Sequence, residues 1–288
     1  MASRTEWVGA ARPRTLGAAL SAVAVGIGVG EATRHVVVWR AVAALVVALC
    51  MQIGTNFAND YSDGVRGTDA RRVGPRRLVA SGLASPRSVR RVAMAAFFVG
   101  AATGLGLAVA VAWWLIPVGA ACIAAGWFYT GGPRPYGYSG LGELFVFVFF
   151  GLVAVVGTAY VSSGRIPSIA WVAAVPVGLL SVALLVVNNL RDIDSDRAAG
   201  KRTLAVLVGD QRTRLLYLAL LAGAFGFVVA AAAMRGFALL GLAAFPLAVR
   251  PLTLVRSGAK GPALITALAM TGGLQIAFGV LFAIGIAL

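Results

Sequence analysis

The sequence predicts an all-α, polytopic membrane protein, and three observations carry that prediction. Of the 288 residues, 60% are hydrophobic and only 12% are charged, with a mean hydropathy of +0.89, far outside the range of a soluble globular domain. The apolar residues come in long blocks and do not alternate with polar ones, as membrane helices require. These blocks use up the chain, so residues 1–288 are expected to form one membrane-embedded domain.

A helix that crosses ~30 Å of hydrocarbon needs roughly 20 mainly apolar residues. Nine blocks approach that length, at about 15–30, 38–58, 90–109, 111–129, 142–162, 168–189, 214–233, 237–250 and 263–287. The first follows a basic start, yet eight further spans mark it as a retained helix and not a signal peptide. The second ends in N-F-A-N-D-Y-S-D-G-V-R-G-T-D, from Asn56 to Asp69. The third and fourth nearly touch. A Gly/Pro-rich loop precedes the fifth, whose Phe145, Phe147, Phe149 and Phe150 are read as packing within the span. The sixth runs into N-N-L-R-D-I-D-S-D-R-A-A-G-K-R-T from Asn188, the eighth is short, and the abundant Gly and Ala predict close helix packing.

All but four of the 25 Lys and Arg (Arg34, Arg40, Arg165 and Arg235) fall at the amino terminus or in the loops after even-numbered spans. The positive-inside rule therefore predicts a cytoplasmic amino terminus and an external carboxy terminus. A basic cytoplasmic face beside anionic lipid accounts for the net charge of +15 without nucleic acid. Cys50 and Cys122 lie inside apolar blocks with no C-x-x-C partner, and His35 is the single histidine. Zinc, haem and Ser-His-Asp chemistry are starved of ligands. The available chemistry rests on carboxylates, amides, Arg, Lys and aromatics.

Six of the ten acids fall in two short windows, after the second and sixth spans. If the second span continues as helix to about residue 63, Asn59 and Asp63 share a face at i and i+4, and Gly64 and Gly67 break the helix so that Asp69 can fold back. Asp192 and Asp196 repeat the spacing, with Asp194 pointing away. Oxygen-only ligand sets of this kind favour a hard ion, Mg²⁺ above zinc or copper. Bases follow each window: Arg66, Arg71, Arg72, Arg76 and Arg77 after the first, Arg197, Lys201 and Arg202 after the second. Metal-holding carboxylates ringed by Arg and Lys are what binding a diphosphate, and stabilising it as it leaves, requires. A cation-coupled transporter is the rival reading, but its sites sit near the midplane and these acids sit at helix ends.

Together, A-R-P-R-T-L from Ala11, N-D-Y-S-D-G-V-R-G-T-D, G-P-R-R-L-V-A-S-G, Y-T-G-G-P-R-P-Y-G-Y-S-G-L-G-E and N-N-L-R-D-I-D-S-D-R-A-A-G-K-R-T-L-A resemble the UbiA superfamily of membrane aromatic prenyltransferases. Within it they look most like the enzymes that prenylate 1,4-dihydroxy-2-naphthoate in menaquinone synthesis. The resemblance implies about nine helices around a central cavity, a cytoplasmic cap, a side opening to the bilayer, and a bacterial plasma membrane as the location. It implies two Mg²⁺, with Mn²⁺ as a substitute, held on a polyprenyl diphosphate by Asn59, Asp63, Asp69, Asp192 and Asp196. Asn56 and Asp60 offer an alternative register for the first motif. Asp63, Asp69, Asp192, Asp196, Arg77 and Lys201 are expected to carry catalysis, and Arg66, Arg76, Arg77, Lys201 and Arg202 to hold diphosphate. Tyr129, Arg134, Tyr136, Tyr138, Asn188 and Asn189 are expected to meet the acceptor. Other acceptors of the superfamily, 4-hydroxybenzoate, homogentisate and haem, remain open at this point.

Overall fold

The computed structural model describes residues 2–69 and 76–288, and its regular elements are all helical. In chain order they are α1 (Arg4–Ala10), a tight turn at Pro13–Thr15, α2 (Gly17–Glu31), α3 (Val38–Arg66), α4 (Pro86–Ala110), α5 (Leu115–Phe128), α6 (Gly142–Ser163), α7 (Ser168–Ala198), α8 (Leu204–Val208), α9 (Asp210–Ala232), α10 (Gly236–Arg256) and α11 (Pro262–Ala287). Each predicted apolar block lands on a helix. Among the described residues, seven helices are long and apolar enough to cross a bilayer. The pair Arg4–Thr15 and Gly17–Glu31, bent by 49°, makes an eighth.

The remaining block folds as α5, at 14 residues too short for a full crossing. Two blocks that nearly touch must spare residues for the reversal between them, and residues 111–114 are spent on that turn. The short eighth block solves its length differently. Its first nine residues, Gly236–Ala244, are wound as 3-10 helix, which rises about 2.0 Å per residue against about 1.5 Å in an α-helix.

Helix α7 is the mast of the molecule: 72% of its apolar window is enclosed, against 28% for α4. Helix α6 crosses it where glycines face each other, since a Cβ on Gly151 would stand 2.7 Å from the Gly178 Cα. Around that crossing Phe147–Val153 widens into a π-helical turn, a feature that often marks functional positions. Helix α2 seats on α11 in the same manner, for a Cβ on Gly28 would meet the Ala283 carbonyl at 2.4 Å. Backbone contact of this kind is how helices adhere when lipid is as apolar as their side chains.

Helix α3 departs from expectation at its end. It stays helical through Gly64 and stops at Gly67, whose φ of 73° supplies the left-handed cap. Gly64 serves close approach instead of breaking the helix: a Cβ there would lie 2.5 Å from the Val79 side chain. The returning segment after the first motif can therefore lie flat against α3.

Candidate active site

Both acidic motifs sit on the last turns of long helices, and both helices end with the same device. In α3, Gly67 is left-handed and the Thr68 N–H donates to the Asp63 carbonyl at 3.1 Å. In α7, Gly200 is left-handed (φ 73°) and the Lys201 N–H donates to the Asp196 carbonyl at 2.8 Å. These six-to-one bonds are Schellman caps, which glycine makes without steric cost. Just past them the chain delivers Asp69 from one side and Lys201 from the other. Two helix C-termini also point their negative dipole ends at this spot, which favours cations there.

Between the helices lies a cavity of about 870 Å³. Its wall includes Asp63, Asp69, Arg77, Asp192, Asp196 and Lys201 at one end. The Lys201 ammonium lies 3.0 Å from Asp63, 3.9 Å from Asp196 and 4.0 Å from Asp69, and Arg77 Nε lies 3.3 Å from Asp69. Asp63, Asp69, Arg77 and Lys201 are all buried. An unpaired charge in such a place costs several kcal/mol, so the pairing is obligatory, and buried clusters of this kind collect at functional sites. Tyr138 donates its hydroxyl to Asp63 and lies with its ring 4.9 Å from the Lys201 ammonium. Burial, reinforced by the Asp63 carboxylate, pushes the Tyr138 hydroxyl well above its ordinary pKa and keeps it a donor.

Away from this head the cavity becomes apolar. Along α3 its wall runs from Asp63 back to Ala44, roughly 28 Å of helix at about 1.5 Å per residue, polar through Asn59, Asn56, Thr55 and Gln52 and apolar from Met51 to Ala44. Phe145, Phe149 and Phe150 lie on the opposite wall, while Phe147 instead packs on Gly178. Packing alone was expected of all four. Phe149 and Phe150 belong to the π-helical turn, and Phe145 lies just before it. Tyr136 stacks on Phe145 with ring centroids 4.0 Å apart and donates its hydroxyl to the Ala125 carbonyl at 2.8 Å. Leu105 and Ile116 line the cavity and yet are about half exposed. Leu105 lies on α4 and Ile116 on the short helix α5, which packs on α3 and α4.

The residues of the two registers of the first motif stand in different surroundings. Asp60 is fully buried and absent from the cavity wall; its two oxygens accept the Leu78 and Val79 N–H groups, each at 3.0 Å. It docks the segment that carries Arg76 and Arg77, both of which line the cavity. Asn56 reaches the wall but donates to the Ala11 carbonyl at 2.9 Å. Asn59 lines the cavity and accepts from the Thr130 hydroxyl at 2.8 Å.

Tyr129, Tyr136, Tyr138, Asn188 and Asn189, the residues expected to meet the acceptor, line the cavity, with Asn189 donating to Glu143 at 3.0 Å. Arg66, Arg134 and Arg202 do not line it. Arg66 donates to the Thr130 and Gly132 carbonyls, so its guanidinium braces the loop after α5. Arg202 is exposed and contributes its backbone N–H, at 3.0 Å, to the Tyr138 carbonyl. Arg134 is exposed on the same loop. Arg71 and Arg72 lie outside the described residues.

Three arginines of the wall were not singled out for the site: Arg12, Arg14 and Arg191. Arg191 clamps its own neighbour Asp192 through Nε and Nη2 at 2.7 and 2.6 Å, and reaches Asn188 at 2.9 Å. Adjacent helical residues do not normally face one another, so spacing rules pass over this pair. Arg12 and Arg14 counted toward orientation and fall in the A-R-P-R-T-L stretch of the resemblance, with no site role assigned to them.

Asp63, Asp69 and Asp196 already gather round one cation, the Lys201 ammonium, and offer oxygen donors alone. That donor set fits a hard divalent ion, although among the described residues no three carboxylates stand close enough to form a finished cage.

Fold and site together define a multi-pass helical membrane protein with a buried charged head at one end of a cavity whose farther walls are apolar. The sequence pattern of the UbiA prenyltransferase family matches residues 19–261. The chain is 53% identical to the 1,4-dihydroxy-2-naphthoate octaprenyltransferase of Mycobacterium tuberculosis over 94% of its length and 93% of the relative's, and 50% identical to that of Mycobacterium leprae over 94% and 92%. Its fold resembles that of a UbiA homolog from Archaeoglobus fulgidus bound to GPP and Mg²⁺, at 17% identity and a TM-score of 0.69 over 97% of this chain and 99% of that one. The chain belongs to the UbiA prenyltransferase family.

Proposed function

We propose that this protein transfers a polyprenyl chain from its diphosphate to 1,4-dihydroxy-2-naphthoate with loss of CO₂, giving the quinol form of a demethylmenaquinone, and that it acts as one membrane-embedded domain. The observation that carries the reading is the junction of a buried carboxylate, Lys and Arg head with a cavity whose farther walls are apolar. Relatives named as octaprenyltransferases for this acceptor, matched over nearly their whole length, support the choice of substrate. The charge bias of the loops supports a bacterial plasma-membrane enzyme with the acidic head and amino terminus in the cytoplasm.

Asp63, Asp69, Asp192 and Asp196, with Asn59 beside them, are the residues to hold Mg²⁺, two ions on this reading and replaceable by Mn²⁺; when bound, the metal neutralises diphosphate oxygens as they become a leaving group. Arg77 and Lys201 add fixed positive charge at the head, with Arg76 at its rim, where negative charge grows as the donor C–O bond breaks. The Tyr138 hydroxyl holds Asp63 in place. The faces of Tyr136, Phe145 and Phe149 stabilise the allylic cation and keep water from it. The ring carbon bearing the acceptor's carboxylate attacks, a C–C bond forms, and CO₂ departs, returning its electron pair to the ring. No net proton is consumed. The isoprenoid tail lies along the apolar wall toward Leu105 and Ile116.

The test is an acceptor screen with purified protein, a labelled polyprenyl diphosphate and Mg²⁺. Prenylation of 1,4-dihydroxy-2-naphthoate well above 4-hydroxybenzoate, homogentisate and haem is expected. Equal or better use of another acceptor refutes the assignment.

A further inference from the structure

The segment between α1 and α2 holds an arginine in an uncommon state. Arg12 has φ 56° and ψ 64°, the left-handed region that residues with a Cβ usually avoid, directly before Pro13. Its neighbours impose the conformation. The Arg12 N–H donates to the Gly9 carbonyl at 3.0 Å, and its own carbonyl accepts from the Thr15 N–H and hydroxyl at 2.9 and 3.0 Å. Asn56 of α3 holds the Ala11 carbonyl at 2.9 Å. Backbone strain fixed this firmly presents the side chain in one place, and strain of this kind collects at functional sites.

The Arg12 side chain lines the large cavity, and its Nε and Nη2 are buried with no hydrogen-bond partner among the described residues. Buried donors left unmade are costly, and more so on a charged group. The open atoms are a matched pair. Nε and Nη2 form the side-on edge of the guanidinium, the edge that takes a carboxylate in two parallel hydrogen bonds. This protein uses the same edge twice elsewhere, from Arg191 to Asp192 at 2.7 and 2.6 Å and from Arg214 to Asp210 at 2.7 and 2.9 Å. On Arg12 that edge is set for a carboxylate the protein does not itself supply.

Depth then distinguishes the two anionic substrates. The segment is tied to α3 at Asn56, and through Thr15 to Gln52 at 3.4 Å. Asn56 lies seven residues before Asp63, about 10 Å along the helix on the apolar side of the charged head. The head already carries Lys201 and Arg77 for a diphosphate, whereas an aromatic carboxylate entering below it needs a counter-charge of its own.

We propose that Arg12 anchors the aromatic acceptor by taking its ring carboxylate side-on through Nε and Nη2. The inference rests on the reading of the acceptor as a carboxylated naphthol. It also accounts for product release, because the product has lost the carboxylate and with it this anchor.

The experiment compares wild type with Arg12→Gln and Arg12→Lys in Mg²⁺-loaded protein, measuring the acceptor KM and the donor KM separately. It adds competitive inhibition by 1-hydroxy-2-naphthoate and by its carboxamide. Arg12→Gln is expected to raise the acceptor KM roughly ten- to a hundredfold, the range for a lost charge-assisted hydrogen bond, with the donor KM changed less than about threefold. Wild type should prefer the carboxylate inhibitor over the carboxamide, Arg12→Gln should lose that preference, and Arg12→Lys should recover part of it. A merely structural role would weaken both inhibitors alike and leave their ratio intact, and that result overturns the proposal. So does a rise confined to the donor KM, which would put Arg12 on the diphosphate. Wild-type protein that prenylates other acceptors but neither prenylates nor binds a carboxylated naphthol refutes the functional reading, and this inference falls with it.

Discussion

Asp60→Asn tests whether Asp60 is a structural carboxylate beside Asp63 and Asp69, the carboxylates proposed for catalysis. The Asp60 oxygens accept the N–H groups of Leu78 and Val79 at 3.0 Å each, in full burial. An amide keeps one acceptor and turns the other into a donor facing a donor. One charge-assisted hydrogen bond, about 1.5–3 kcal/mol, is lost and the second weakens to the neutral range of about 0.5–1.5 kcal/mol. That energy holds the strand of chain bearing Arg76 and Arg77 against α3. Its loss should raise the donor KM about ten- to a hundredfold, at about 1.4 kcal/mol per tenfold, and lower the thermal midpoint in detergent. The Mg²⁺ concentration for half-maximal activity should stay within about threefold of wild type, since Asp60 does not reach the cavity. The assay is prenyl transfer with Mg²⁺ and donor titrated independently, beside Asp63→Asn as the ligand control. If Asp60→Asn shifts the Mg²⁺ requirement as far as Asp63→Asn does, Asp60 is a metal ligand and the register Asn59, Asp63, Asp69 is wrong.

EDTA should abolish turnover and Mg²⁺ restore it, because the carboxylates at the head are hard oxygen donors; full activity in metal-free protein would remove the site. Arg77→Gln should cut kcat/KM for the donor by roughly ten- to a hundredfold, while Arg256→Gln, at the exposed end of α10 and absent from the cavity wall, leaves it unchanged; equal small effects would remove Arg77 from the diphosphate site. Tyr138→Phe removes the hydroxyl bond to Asp63 but keeps the ring beside Lys201, and about a tenfold fall in kcat is expected from one hydrogen bond to a charged group; unaltered kcat would show that Asp63 needs no such support. Gly178→Leu should sharply lower the yield of folded protein, since even a Cβ there would stand 2.8 Å from the Phe147 ring; normal expression and melting would mean that α6 and α7 can separate freely.

Much of this protein was legible in one dimension, because the bilayer imposes a one-dimensional rule: an apolar run of sufficient length must become a helix, whatever its neighbours do. That rule located every span. The scarcity of acids likewise made two windows conspicuous, and the i, i+4 spacing put Asp192 and Asp196 on one face. Sequence could not tell Asp60 from Asp63, since both sit at suitable spacings on one helix and only the return of Leu78 and Val79 decides which carboxylate is consumed by backbone. Nor could it choose among the arginines. Arg66 and Arg202 stand as close to the motifs in sequence as Arg77 and Lys201 do, yet the first braces a loop and the second faces outward. Phe149 and Phe150 were hidden by the wide turn at the Gly151–Gly178 crossing, a packing event with no local signature. Arg12 belongs to a segment far from both motifs in the chain. Local pattern therefore determined which elements form and which residue types do the chemistry. Which side chains face the cavity was decided by contacts between helices distant in sequence, because burial and pairing are properties of the assembled bundle.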